Sequence, residues 1–310
     1  MVALAGGVGA ARLLRGLVEV VAAEDVVAIV NTGDDREFYG VHVSPDLDIV
    51  TYTLAGTIDP ERGFGIAGDS FTLVDALERL GHPTWFRLGD GDYARCLHRT
   101  LRLRDGVGLG EITDELRRAH QVGVRIVPMS EDPCPTLVEL TGGVSVHFEE
   151  YLVRDGAPDD VRGVDLSAAR AARPAPGVID ALHSARAIVV CPSNPVVSIG
   201  PILEVDGVRD ALQASDASVV AISPIVGGAP IKGPADRLLR GIGTEVSARG
   251  VAGLYRGIID AYVLDERDRE QVADVEALGI RCKAVDTIMV DTAASKSLAR
   301  AALELIGAVP

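Results

Sequence analysis

Short apolar runs alternate along this chain with amphipathic stretches, the pattern of buried parallel strands covered by helices. Residues 2–5 (VALA) read as a first strand, followed by a glycine turn and a helix over residues 10–21. Residues 26–30 read as a second strand that closes on the polar cluster Asn31-Thr32-Gly33-Asp34-Asp35. Pro45-Asp46 opens a helix, because proline tolerates the first turn and acids suit the positive end of the dipole. Residues 85–88 read as another strand, ending in Gly89-Asp90-Gly91-Asp92.

The rhythm breaks over residues 122–173. Segments 136–140 and 144–148, joined through Gly142-Gly143, predict an antiparallel hairpin, and residues 157–176, rich in Pro, Asp, Ala and Arg, read as loop. Strands are then expected at 187–190, 218–222, 261–264 and 283–285, and a last helix at 293–306. The fold class expected is α/β: a Rossmann-like, mostly parallel sheet with helices on both faces and a smaller α+β insertion. Residues 1–121 and 174–310 form the body and 122–173 the insertion with its hairpin. With 310 residues the chain can bury a full core.

Charge narrows the partners. The chain carries 45 acids against 30 bases, a net charge of −15, which disfavours a nonspecific nucleic-acid binder because phosphate neutralisation needs a basic surface. Four scattered cysteines form no C-x-x-C pair, so free thiols in a reducing cytosol are expected rather than zinc or disulfides. The first residues lack the basic segment of a signal peptide, and no run reaches the roughly 18 apolar residues of a membrane span. Cytoplasmic location and small-molecule partners follow as the expectation. The six histidines show no metal-binding spacing, no G-x-S-x-G elbow occurs, and aromatics at 4% do not suggest a stacking platform for single strands.

In open α/β sheets ligands bind beyond the carboxyl ends of the strands, where most of the polar clusters fall. Gly6-Gly7-Val8-Gly9 could let backbone amides approach a phosphate or simply make a tight strand–helix turn. A dinucleotide fingerprint fails, since Arg12 stands at the third glycine position and Asn31 where an acid would hold a ribose; no Gly-Lys-Ser/Thr completes a Walker loop. Asp34, Asp35, Asp46 and Asp48 supply carboxylates of the kind that hold hard divalent cations. Asp46 and Asp48, one residue apart near a helix start, diverge; Asp46 is open to a capping role, which leaves Asp48 the better ligand. Asp90 and Asp92 form a second acidic turn. Arg95 and Arg99, four apart on the following helix, share a face and could clamp phosphates or form a surface ion-pair lattice. Ser193, Asn194, Ser198 and Gly200 lie in a proline-fixed loop, either a ligand contact or a plain turn; residues 224–233, with Lys232, form a similar loop after the next strand.

Taken together, GGVGAARLLRGL (6–17), NTGDD (31–35), SPDLDIVTYTLAG (44–56), LGDGDYA (88–94), PMSEDP (128–133), HFEEY (147–151), PSNPVVSIGPIL (192–203) and SPIVGGAPIKGPA (223–235) resemble the 2-phospho-L-lactate transferase family, with its phosphoenolpyruvate-using relatives, over nearly the entire chain. The resemblance implies transfer of a phospho-acid group from a lactyl or enolpyruvyl diphosphoguanosine to the hydroxyl of the deazaflavin Fo. GMP leaves, and the product is coenzyme F-420-0 or its dehydro form. It implies a magnesium ion, metal ligands among Asp48, Asp34 and Asp46, and catalytic roles for Asp48, Asp34 and Asp35. It implies nucleotide, phosphate or Fo contacts from Gly6, Gly7, Gly9, Asn31, Arg87, Asp90, Ser193, Asn194, Ser198 and Gly200, and a homodimer. Relatives commonly carry Arg-Asp-x-Ala-Thr-His after the LGD; Gly91-Asp92-Tyr93-Ala94-Arg95-Cys96 stands here, so relocated contacts from Arg95 or Arg99 are expected. The rival is a YvcK-like nucleotide-sugar-binding regulator without transferase activity, which shares the glycine-rich start.

Overall fold

The apolar runs pair side by side in a computed structural model that describes residues 1–309. In chain order the first strands are β1 (Val2–Ala5), β2 (Val27–Val30), the short hairpin β3 (Arg36–Phe38) and β4 (Val41–Val43), and β5 (Arg125–Pro128). There follow β6 (Leu137–Leu140), β7 (Val144–His147), β8 (Val161–Asp165), β9 (Ala187–Val190) and β10 (Ser218–Ile222). The last are the two-residue pair β11 (Ile225–Val226) and β12 (Ala229–Pro230), then β13 (Ala261–Asp265) and β14 (Arg281–Val285). Seven of these form one sheet in the order β14-β13-β10-β9-β1-β2-β5, and every pairing within it is parallel.

This order is the Rossmann-like arrangement the apolar pattern predicts. The chain steps outward from β1 to β2 and β5, then returns to the other side of β1 through β9. The direction reverses between β1 and β9, and in open α/β sheets ligands bind beyond the carboxyl ends at such a point. Alternate residues of β1 enter opposite cores: Val2 and Leu4 pack in one apolar layer, Ala3 and Ala5 in the other.

Five helices of the first half matter for the site: α1 (Gly7–Leu17), α2 (Pro45–Leu54), α3 (Thr72–Arg79), α4 (Asp90–Arg104) and α5 (Leu109–Ala119). α1 buries Ala10, Ala11, Leu13, Leu14 and Leu17, the stripe expected of a helix lying on a sheet. Its Gly16 meets the C-terminal helix Thr292–Leu305 so closely that a Cβ there would lie 2.2 Å from the Ser295 carbonyl carbon.

Three expectations need correction. No strand forms at residues 85–88; Trp85 and Phe86 instead pack into a satellite core with Phe38, whose ring stacks on Phe86 at 4.0 Å. Their apolar character serves that cluster, not a sheet. Residues 125–128, assigned to the insertion, form β5 at the edge of the central sheet beside β2. Residues 157–176 are not all loop, because β8 pairs with β6 and makes the predicted hairpin a three-stranded sheet, and Ser167–Ala171 is helical. The thiols of Cys96, Cys134, Cys191 and Cys282 are free. No helix among the described residues is long and apolar enough to cross a membrane.

Gly16→Ala should destabilise the fold by about 1–3 kcal/mol, the usual cost of overpacking, because backbone rather than a flexible side chain blocks the new methyl. Urea unfolding midpoints of the two proteins check this.

Candidate active site

Three loops meet beyond β1, β2 and β9. Gly6 follows β1 in extended conformation, and its N–H donates to the Ser193 hydroxyl at 3.2 Å. A Cβ on Gly6 would lie 2.7 Å from both Asp46 Oδ2 and Ser198 Cβ, and one on Gly9 would lie 2.3 Å from the Pro192 carbonyl oxygen. Gly7 has φ +69°, left-handed backbone that glycine adopts without strain. The glycines are thus a condition of close approach between loops. Asn194 organises its own turn: its side-chain oxygen accepts from Val196 N at 3.0 Å and Val197 N at 3.3 Å, while its carbonyl accepts from Ser198 N and Ile199 N. Gly200 sits where a Cβ would be 3.2 Å from the Pro195 carbonyl oxygen.

Asn31 does not stand in for a ribose-binding acid. Its amide donates to Asp46 Oδ2 at 2.9 Å, and its side-chain oxygen accepts from Gly33 N at 2.8 Å. Asp46 is not the cap of α2: Ser44 holds that position, Pro45 the first turn, and Asp46 turns to the glycine loop. Side chains two apart on a helix point about 200° apart. Asp48 therefore faces the opposite way, into the body of the protein.

Four carboxylates crowd the glycine-loop side: Asp34, Asp35, Asp46 and Glu149. Burial pushes Asp34 well above the usual carboxylate range, with the Asp46 and Glu149 charges adding to it. Burial raises Asp46 to about 6 against hydrogen bonds from Asn31 and Gly7, and raises Glu149 to about 8 with help from Asp46. One oxygen of Asp35 accepts from the Ser44 hydroxyl at 2.6 Å and lies 3.0 Å from His42 Nε2. The other oxygen of Asp35 and Oδ1 of Asp34 are buried with no hydrogen-bond partner. Sequence reasoning did not single out Glu149. It lies in the HFEEY segment just past β7, and only the folding of the insertion back over the sheet brings it to Asp46.

Asp48 is not free to hold a metal. Arg99 of α4 donates to both its oxygens, Nη1 to one at 3.1 Å and Nη2 to the other, and the Arg99 side chain is 1% exposed. Arg99 is consequently no phosphate clamp either. Among the described residues Asp48, Asp92 and Cys96 form the one trio of such groups whose ligand atoms lie within 4.8 Å of one another. Two members of that trio, Asp48 and Cys96, accept from the Arg99 guanidinium. Tyr52 O–H donates to Asp92 at 2.7 Å.

The remaining candidates lie outside the three-loop crevice. Asp90 accepts from Ser70 Oγ, Thr72 N and Leu73 N, which satisfies the start of α3 and draws its carboxyl down to about 2. Arg87 pairs with Asp75 at 2.6 Å, its guanidinium 5.1 Å from the Phe71 ring centroid. Arg95 donates to His120 Nε2 and to the Gly91 carbonyl rather than reaching outward.

A parallel sheet with a glycine loop, a serine–asparagine loop and buried acids at its reversal point defines a Rossmann-like α/β protein. The family model described as 2-phospho-L-lactate transferase CofD matches residues 1–304. A phosphoenolpyruvate transferase of Kitasatospora aureofaciens is 45% identical, covering 98% of this chain and 97% of its own. A 2-phospho-L-lactate transferase of Methanosarcina mazei is 39% identical over 96% of this chain and 98% of its own. A solved Bacillus halodurans protein of the UPF0052 family shares the fold, with TM-score 0.68, 18% identity and 97% coverage of each chain. The chain belongs to the CofD family and is a transferase of the coenzyme F-420 pathway.

Asp48→Ala should cost roughly 3–5 kcal/mol of folding stability, because it leaves Arg99 a buried, unpaired charge; thermal or urea denaturation of the variant tests this. Burial and the nearby Asp48 charge raise Asp92 to about 7. Its folded value lies above the unfolded one, so the native state keeps a proton the unfolded chain releases, and this group's contribution to stability declines between about pH 4 and pH 7. Asp92→Asn should flatten that part of the profile of urea midpoint against pH.

Proposed function

We propose that this transferase moves a phospho-lactyl or phosphoenolpyruvyl group from its diphosphoguanosine donor to the primary hydroxyl of the deazaflavin Fo. A P–O bond to the Fo oxygen forms, the anhydride bond to GMP breaks, and the hydroxyl proton leaves to a carboxylate of the cluster. The product is coenzyme F-420-0 or its dehydro form.

One observation carries the chemistry: buried Asp34 and Asp35 each keep an oxygen without a partner, and Asp34 is close enough to feel the charge of Asp46, which packs against the glycine loop. Phosphoryl transfer asks for little covalent help; it needs charge neutralisation and an acceptor held in line. The donor set fits magnesium, which takes hard oxygen ligands and commonly only one or two carboxylates beside phosphates and water. Asp34 and Asp46 would hold it, with Glu149 at its edge. When bound, the ion would neutralise phosphate oxygens and so ease attack at phosphorus. Asn31 keeps Asp46 turned to the loop, where Ser198 also meets Gly6 and the Ser193 hydroxyl accepts from the Gly6 amide. Arg87, stacked on Phe71, is the proposed contact of the deazaflavin ring.

The family membership favours transfer over a purely regulatory, nucleotide-sugar-binding role. Incubation with Fo, magnesium and each guanylylated donor should yield a phosphorylated deazaflavin by mass spectrometry, the two donors giving products two hydrogens apart. No product from either donor overturns the proposal. Asp34→Asn should lower turnover on the order of a hundredfold or more, an effect of several kcal/mol on the barrier.

A further inference from the structure

Between α2 and α3 the chain makes a glycine-punctuated excursion that closes on itself through the bridge Ile58↔Ile66. Asp59 shapes its tip by accepting from Glu61 N and Arg62 N, each at 3.0 Å. The tip lies over the first turn of α1: a Cβ on Gly63 would be 3.3 Å from Val8 Cγ1 and 3.7 Å from Lys232 Nζ. Lys232 comes from the opposite flank of the crevice, in the loop after β12. It donates to the Arg62 carbonyl at 2.8 Å and holds its ammonium 5.6 Å from the Phe64 ring centroid. A strap from the β2 side and a lysine from the β10 side therefore join across the helix that follows the glycine loop.

Arg12 lies one turn beyond Val8 on the same face of α1, near enough to Lys232 for the two charges to interact. The ion pairs of the described residues include neither Arg12 nor Lys232. Two cations with no acid between them repel, in a chain that otherwise has an excess of 15 acids over bases. Burial and the Arg12 charge hold the Lys232 ammonium below its usual pKa, the direction that a bound anion would reverse. An ammonium has three donors, and the Arg62 carbonyl engages one of them.

We propose that Arg12 and Lys232 form a clamp, roofed by the strap at residues 59–65, for the diphosphate of the guanine nucleotide donor. Asp46 packs against Gly6, and Val8 and Arg12 follow directly in α1, so the clamp would hold the diphosphate at the start of α1, within the same loop region as the proposed cation-binding carboxylates. This rests on the proposed transferase reaction and gives it a donor-binding residue pair. A forked guanidinium and a compact ammonium together suit a diphosphate, which offers more anionic oxygens than a monophosphate.

Isothermal titration with GDP and with GMP, in magnesium, tests the clamp on the full-length wild type, Arg12→Ala, Lys232→Ala and Lys232→Arg. Each alanine variant should weaken GDP binding about tenfold and change GMP binding less than about threefold; Lys232→Arg should stay within about threefold of wild type. Wild-type binding that survives in both alanine variants overturns the clamp and leaves the reaction standing. Equal losses for GDP and GMP overturn the diphosphate assignment. A wild type that binds neither nucleotide overturns the nucleotide part of the proposed reaction and the clamp with it. Arg12 is exposed, so its variant keeps the test open should Lys232→Ala fail to fold.

Discussion

The closeness of the β1 and β9 loops governs this molecule. Adjacent parallel strands place their carboxyl ends about 5 Å apart, so whatever follows them must pass backbone against backbone. Gly6 and Gly9 meet that demand; a methyl group at either would run into Asp46, Ser198 or the Pro192 carbonyl. Ser193, Asn31 and Asp46 can converge only because nothing projects between them. The same absence of side chains lets the Gly6 amide reach the Ser193 hydroxyl and the Gly7 amide reach Asp46.

The protein handles buried charge in two opposite ways within one helix. Asp48, on the inner face of α2, is neutralised by Arg99, and the pair ties α2 to α4. Asp46, on the face toward the loop, meets Asn31, Asp34 and Glu149 and no cation. An ion pair within the fold serves architecture, whereas carboxylates that burial and mutual repulsion drive toward protonation are poised for a ligand. The contrast separates scaffold from chemistry more sharply than the acidic residues themselves do. Asp48, two residues from Asp46 in sequence, faces Arg99 rather than the buried acid cluster.

The proposed chemistry rests on long departures from a regular sheet. The excursion after β2 supplies Asp34, Asp46, the aromatic cluster and the strap, and the insertion after β5 supplies Glu149. Loops can change without disturbing the packed strands. That separation agrees with an 18% identical protein sharing the fold while the relatives named as transferases share 39% to 45% of their residues with this chain.

The sequence by itself determined the alternation of strands and helices, the hairpin and the concentration of polar loops at strand ends, because burial imposes a period that can be read locally. The divergence of Asp46 and Asp48 was equally legible, since helical geometry alone requires it. Local signals misled at Trp85–Phe86, where apolar residues serve a satellite core, and at residues 125–128, where a short run gives no hint of which sheet it joins. Only the tertiary structure decided that Arg99 lies opposite Asp48, that Glu149 joins Asp46, and that Lys232 reaches Arg62, residues separated by 51, 103 and 170 positions. Such pairings depend on the path of the chain between them, and no periodicity records that path.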